Sequence, residues 1–139
     1  ATIDPGFVAD VLANAASRYS MQALAYDRWR IEDLKRELGL IGAALPLTPF
    51  GQGFKDFSPA VDMLERCVAE KLLRHGGNPV LNMCAPNAVV TRDPAGGRKL
   101  DKSKAAGRID GLVALAMALS ISKRHEPEAL PACLAELMA

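Results

Sequence analysis

Two aspartates, Asp27 and Asp110, stand where a carboxylate could take part in catalysis or metal binding. Asp27 follows the short apolar run 21–26, a pattern typical of a buried strand. Open α/β sheets place their functional sites at the carboxyl ends of such strands. Asp27 therefore either belongs to a site at the edge of a sheet or simply caps the helix predicted to begin near Trp29.

The second carboxylate, Asp110, lies where a basic loop meets the apolar segment 112–121. If Ser103 caps this helix, Asp110 lies about two turns inside it, where the helix dipole no longer favours a carboxylate strongly. Its neighbours at helical spacing are all apolar, namely Val113, Ala114 and Met117. Burial of an unpaired carboxylate is costly, so this placement predicts a cation or a metal ion as partner. The alternative is an ordinary acidic residue in the first turns of a helix, stabilised by the dipole alone.

A strand-end acid and a helix acid that face each other across a sheet could share divalent metal ions. Two such ions, about 3.5–4 Å apart and held by carboxylates, form the machinery of phosphodiester cleavage. A group of cations precedes Asp110 along the chain, namely Arg92, Arg98, Lys99, Lys102, Lys104 and Arg108. These cations form either an ordinary solvated face or, beside a metal site, a surface that holds the DNA backbone without regard to sequence.

Composition narrows the functional class. With 139 residues the chain is long enough for one domain, and its formal net charge of +1 argues neither for nor against a nucleic-acid partner. Its cysteines, Cys67, Cys84 and Cys133, include no Cys-x-x-Cys pair, which argues against a zinc site and favours a reduced, intracellular compartment. The sequence has neither a run long enough to span a membrane, nor a signal peptide, nor the phosphate-binding loop of ATP-binding proteins.

The first half of the chain alternates between predicted helices and strands. Helices are expected at 5–17, with Asp4 as its N-cap, and at 31–38, the second stopped by Gly39, and strands at 21–26 and 40–47. This order predicts neighbouring parallel strands that are joined by a helical crossover.

The second half is predicted to be mainly helical. Ser58 is expected to cap a third helix and Asn78 a short fourth one. A turn at 93–97 joins two short strands, and Ser103 caps the long final helix. Residues 125–139 are expected to form a short terminal helix or a tail.

Several short motifs, taken in order, resemble one protein family. They are Tyr26-Asp27-Arg-Trp29, Gln52-Gly-Phe-Lys55 with Ser58-Pro59, Leu73-Arg-His-Gly-Gly-Asn-Pro79, Asn87-Ala-Val-Val90, Arg92-Asp93, Lys102 and Arg108-Ile-Asp-Gly111. Their order and spacing are similar to those of the C-terminal nuclease region of the large terminase subunit of tailed bacteriophages. The similarity extends over nearly the whole chain, to about Ser120.

The resemblance implies a partial ribonuclease H-like α/β fold over residues 1–124, with parallel strands flanked by helices and a small β-hairpin. It implies a metal-dependent endonuclease that cuts concatemeric double-stranded DNA during packaging, with two Mg²⁺ or Mn²⁺ ions held by three acids. Asp27 and Asp110 match the second and third of these acids. The cations that would contact DNA phosphates are Lys99, Lys102, Lys104 and Arg108.

The resemblance also implies a setting for the protein. Its partners would be double-stranded DNA, the terminase small subunit and the portal protein, with no membrane involved. The location would be the cytoplasm of a bacterial host, with the gene carried by a phage or a prophage.

One part of the family pattern has no match in this sequence. The family's nuclease begins with three antiparallel strands, the first of which carries the leading acid, and these strands and the ATPase domain are expected to be missing before Ala1. Such an N-terminally truncated domain should cut DNA weakly or not at all by itself. The exposed edge of its sheet invites pairing with another chain, including self-association. The alternative function is a non-catalytic assembly module that docks on packaging-motor or capsid partners, with structural acids.

Overall fold

The computed structural model describes residues 3–29 and 31–122. This part of the chain contains, in order, α1 (Pro5–Arg18), β1 (Leu24–Asp27), α2 (Ile31–Leu40), β2 (Leu47–Phe50), α3 (Phe54–Ala69), α4 (Pro79–Asn87), β3 (Val90–Arg92), β4 (Arg98–Leu100) and α5 (Asp110–Ser122). The strands form two separate pairs, β1 with β2 and β3 with β4. Within these described ranges no helix is long and apolar enough to cross a membrane. The terminal helix or tail expected at 125–139 lies outside the described residues.

The parallel pair β1–β2 confirms the arrangement predicted from the alternation of helices and strands. The strands align from Leu24 with Leu47 to Asp27 with Phe50, and α2 connects them along the chain. β1 begins at Leu24 rather than at residue 21 and ends at Asp27. Asp27 therefore lies at the carboxyl end of a parallel strand, as expected.

Helix α2 ends later than the sequence predicted, and β2 is displaced with it. The helix continues through Gly39 to its last residue, so 41–46 form a loop and β2 occupies Leu47–Phe50 rather than 40–47. Gly42 has a φ of 69°, the left-handed conformation that favours glycine just past a helix end. The predicted stop at Gly39 is wrong because the residue that takes this conformation comes later in the chain.

The two outer edges of the β1–β2 pair differ in their hydrogen-bonding capacity. The Leu24 amide donates to the Pro46 carbonyl at 2.8 Å, so in a parallel ladder the backbone of Ala25 faces the opposite, outer edge. The corresponding outward residue of β2 is Pro49, which has no N–H to donate. A proline is tolerated within an edge strand when its missing donor faces outward. Of these two edges, only that of β1 can form a full ladder with a further strand.

The core lies between α3, α5 and the antiparallel hairpin β3–β4. Phe50 and Phe57 pack edge to face, with ring centroids 5.5 Å apart. Ile109 is 1% exposed and Leu100 is buried with it, so the two ends of the segment that connects the hairpin to α5 are both anchored in the core. The hairpin itself, joined by the turn at 93–97, forms as predicted.

Two of the predicted helix caps have different outcomes. Asn78 caps α4 as expected, because its side-chain oxygen accepts from two backbone amides at 3.0 and 3.1 Å. Ser58 does not cap α3, which begins at Phe54. The Ser58 hydroxyl instead donates to the Phe54 carbonyl at 2.8 Å and accepts from the Arg98 amide at 2.6 Å. Ser58 thus connects α3 to β4, a long-range contact that its local sequence does not reveal.

Candidate active site

The carboxyl edge of the β1–β2 pair lies against α5, where its contacts reach Val113 and Met117. Gln52, just beyond the end of β2, approaches the sulfur of Met117 at 3.8 Å and lines a cleft with the start of α5. Residues 21–25 lead into β1 at its amino end. They line a second cleft together with α5 residues as far as Ser122, the end of the helix. From these contacts we infer that the strand and the helix run in opposite directions. This arrangement places Asp27, at the end of β1, and Asp110, at the start of α5, at the same end of the packed pair.

Asp110 is the first residue of α5, and the prediction that Ser103 caps this helix is wrong. The Val113 amide donates to the Ile109 carbonyl at 3.0 Å, which marks the beginning of the helix. Ser103 forms a local turn instead, in which its amide and hydroxyl donate to Asp101 at 2.9 and 2.6 Å. Asp110 therefore lies in the first turn, where the positive end of the helix dipole stabilises a carboxylate.

The carboxylate of Asp110 is exposed and paired rather than buried. Its side chain is 62% exposed, which contradicts the burial expected from its apolar neighbours at helical spacing. The expected cation partner is present: Lys102 donates from its ammonium group to Asp110 Oδ1 at 2.6 Å. This hydrogen bond lowers the pKa of Asp110 below its ordinary value, against a smaller opposing effect of partial burial, and the charges of Lys102 and Arg108 lower it further.

Asp27 is also exposed, and its carboxylate orders the chain that follows β1. Asp27 Oδ1 accepts a hydrogen bond from the Trp29 amide at 3.1 Å. Since α2 begins at Ile31, this contact stabilises the turn before the helix rather than the helix itself. The sequence suggested that Asp27 caps the following helix; in the structure it instead stabilises the turn before that helix. Its position at the carboxyl end of β1 still favours a functional site.

The described residues do not by themselves complete a metal site. Within residues 3–29 and 31–122 no group of three His, Cys, Asp or Glu side chains is placed to hold a metal ion. Asp110 is bound by an ammonium group and Asp27 by a backbone amide. This donor set does not fit the three-acid, two-metal site that the resemblance implies.

Five of the six cations before Asp110 divide into two groups. Arg98 belongs to the structural group, because its side chain is only 18% exposed and pairs with Asp62 and with Glu65, the latter at 2.8 Å. These two hydrogen bonds and the charges of both acids raise the pKa of Arg98, so its guanidinium stays charged. Arg98 therefore fixes the hairpin to α3 and is not free to contact phosphate.

The second group surrounds the start of α5. Lys102 and Arg108 both act on Asp110, and the charge of Lys104 contributes to a lowered pKa of Asp101, whose main cause is the Ser103 hydrogen bond. Lys102, Lys104 and Arg108 are all exposed. Lys99 lies on β4 with its ammonium 4.9 Å from the centroid of the Phe54 ring.

Sequence reasoning missed the acids that hold Arg98. Asp62 and Glu65 are spaced i, i+3 and so lie on one face of α3, a signal that sequence does contain. Their common partner lies 36 and 33 residues further along the chain, which no local pattern reveals.

Comparison with known proteins identifies the family. A family model described as the terminase large subunit, endonuclease domain, matches residues 2–126. The chain belongs to this family. The large terminase subunit of Enterobacteria phage HK97 is 51% identical to it over 128 residues, which cover 92% of this chain and 25% of that protein.

A solved structure confirms the fold of this terminase endonuclease domain. The crystal structure of the HK97 bacteriophage large terminase matches with a TM-score of 0.80 at 51% identity, covering 85% of this chain and 25% of that one. The fold is that of the terminase nuclease domain, which is ribonuclease H-like, so the predicted family and fold class are confirmed. The chain spans about a quarter of the length of the HK97 protein.

The Lys102–Asp110 pair makes a prediction about pH. Lys102→Met should raise the pKa of Asp110 toward the ordinary aspartate value of about 3.9, because it removes the hydrogen bond and the nearest positive charge. The pair stabilises the folded state fully above that ordinary pKa, and the contribution is lost as the pH falls through the lower folded-state pKa. The measurement is a ¹³C NMR titration of the aspartate carboxyl carbons.

Lys104→Met, in the same loop, is the matched control. It should raise the pKa of Asp101 and leave that of Asp110 unchanged. Equal pKa values for Asp110 in the Lys102→Met variant and the unchanged chain would contradict the pairing.

Proposed function

We propose that this chain is the catalytic endonuclease portion of a phage DNA-packaging terminase and that it cuts concatemeric double-stranded DNA. The proposal is supported by the positions of Asp27, at the end of β1, and Asp110, at the start of α5, in a chain of the terminase endonuclease family. Cutting would occur at this end, beside the cations Lys99, Lys102, Lys104 and Arg108.

The proposal includes dependence on Mg²⁺ or Mn²⁺, since carboxylate oxygens are the ligands that these hard cations prefer. Asp27 and Asp110 would be catalytic acids and would supply part of the ligand set. The described residues supply no group of three metal ligands, so this chain alone should cut weakly or not at all. The pair with Lys102 lowers the pKa of Asp110, so its carboxylate stays ionised to a lower pH than an ordinary aspartate would.

The wider setting is part of the same proposal. The terminase small subunit and the portal protein would be its protein partners, and the host cytoplasm its location. The gene would belong to a phage or a prophage.

Exchange of domains tests the catalytic role. We expect a chimera, in which this chain replaces the matching quarter of the HK97 large terminase, to nick supercoiled plasmid DNA with Mg²⁺ or Mn²⁺. Asp110→Asn or Asp27→Asn in the chimera should lower the nicking rate about 100-fold or more, because each removes a carboxylate from the site. Gel analysis of nicked plasmid measures the rate.

Asp10→Asn, on the exposed surface of α1, is the control and should leave the rate unchanged. Circular dichroism checks that each variant folds. A folded Asp110→Asn chimera that cuts at the parent rate would refute the catalytic role, and one that fails to fold would indicate a structural role.

The salt dependence of binding tests the DNA-contacting cations. The logarithm of affinity for duplex DNA should fall linearly with the logarithm of salt concentration, and Lys104→Gln with Arg108→Gln should reduce this slope by about 2, one unit for each lost phosphate contact. Fluorescence anisotropy of labelled duplex in EDTA measures the affinity.

A matched pair of substitutions controls for net charge. Lys35→Gln with Arg36→Gln removes two cations of α2 that already pair with acids of their own helix. This variant should keep the original slope. The same loss of slope in both double variants would show that the loop cations have no special role.

A non-catalytic assembly module is the second candidate function, and two observations favour it. The outer edge of β1 is open to a further strand, and a largely apolar cleft of about 510 Å³ lies between α3, α4 and α5. Such a module would dock on packaging-motor or capsid partners. In the purified chain the β1 edge would also allow self-association.

Paramagnetic broadening by Mn²⁺ separates the two functions. A nuclease site should give selective broadening of the amide NMR signals of Asp27 and Asp110, even when binding is weak, and Asp110→Asn should abolish it. Asp10→Asn should not change the broadening. An assembly module with structural acids should show no carboxylate-dependent broadening at either position.

A further inference from the structure

Trp29 presents its indole to solvent next to the candidate active site. Its residue exposure is 80%, the highest of any large apolar side chain in the described part of the chain. Tryptophan is on average a well-buried residue type, because its large ring gains much from leaving water. An indole left this exposed is available to a partner.

The backbone of Trp29 is held in place relative to the site. Its amide donates to Asp27 Oδ1 at 3.1 Å, and α2 begins at Ile31. The connection from the end of β1 to the start of α2 is therefore too short to carry the residue far. Trp29 lies at the carboxyl edge of the sheet, the edge that the start of α5 also meets.

The surroundings of Trp29 favour a nucleic acid over a protein as its partner. Tryptophans that anchor protein interfaces lie near the centre of the buried contact, where charged residues are depleted. Trp29 lines neither of the two large apolar clefts, and its neighbour Arg28 is an exposed cation. An aromatic ring that stacks on a base, combined with cations that follow the backbone, is the usual way of binding single-stranded nucleic acid.

We propose that Trp29 stacks on a DNA base that is unpaired beside the candidate active site, while Arg28 contacts a neighbouring phosphate. The inference rests on the proposed function and extends it to a substrate feature, a locally unpaired or distorted strand. Stacking accepts any base because every base has a π face, so the contact positions the strand without sequence preference.

The test uses the full chain in EDTA, so that binding is measured without cutting. Trp29 is the only tryptophan in the sequence, so tryptophan emission reports on this side chain alone. An unlabelled single-stranded oligonucleotide should quench this emission strongly, and a fully paired duplex of the same length should quench it less.

Affinity is measured separately by the anisotropy of a fluorescein-labelled single strand. Trp29→Ala should weaken this affinity about tenfold, the effect expected for one stacked base, and Trp29→Phe should largely retain it. Leu40→Ala, which truncates a side chain of similar exposure at the far end of α2, should not change it. Circular dichroism confirms that the variants fold.

The outcomes distinguish this inference from the proposed function. If the chain binds DNA but tryptophan emission and the Trp29→Ala affinity do not change, the stacking contact is refuted and the proposed DNA-cutting role remains. Quenching as strong with the paired duplex as with the single strand would likewise refute stacking on an unpaired base. If the chain binds neither form of DNA, both proposals fail.

Discussion

The attachment of the β3–β4 hairpin to α3 is the interaction on which the rest of the site depends. Ser58 accepts from the Arg98 amide, and the Arg98 side chain pairs with two acids of α3. These contacts fix the start of the loop that follows the hairpin, and buried Ile109 fixes its end. The loop between them carries Lys102, whose position relative to Asp110 follows from these anchors.

The Lys102–Asp110 pair matters for charge rather than for stability. Both side chains are more than half exposed, and exposed ion pairs contribute little to the free energy of folding. What the pair does is lower the pKa of Asp110, whose carboxylate lies at the positive end of α5. Because the pair is weak, breaking it costs little free energy.

The features that can be predicted well from the sequence are those that depend only on neighbouring residues. Asn78 caps its helix through its own side chain, and the hairpin turn needs only its own residues, so both were predictable. Gly39, Ser58 and Ser103 each carry a plausible local signal, yet the helix boundaries lie elsewhere: α2 ends at Leu40, α3 begins at Phe54 and α5 begins at Asp110. The starting residue of α5 had the largest effect on the predicted site. Because the helix begins at Asp110, this residue lies in an exposed first turn rather than in the expected buried position. The strand-end position of Asp27 was predictable, while its contact with the Trp29 amide needed the fold.

The two edges of the β1–β2 pair constrain how the candidate site can be completed. Pro49 has no backbone N–H, so β2 cannot form a full hydrogen-bond ladder on its outer side. Of the two edges, only that of β1 can pair fully with a further strand. A strand added there would run alongside β1 and pass Asp27, the last residue of β1. If such a strand carried a third acid for the proposed nuclease, that acid would approach Asp27 from the open side of β1. A strand added there would cover this edge of β1, which would then no longer be open to pairing with another chain.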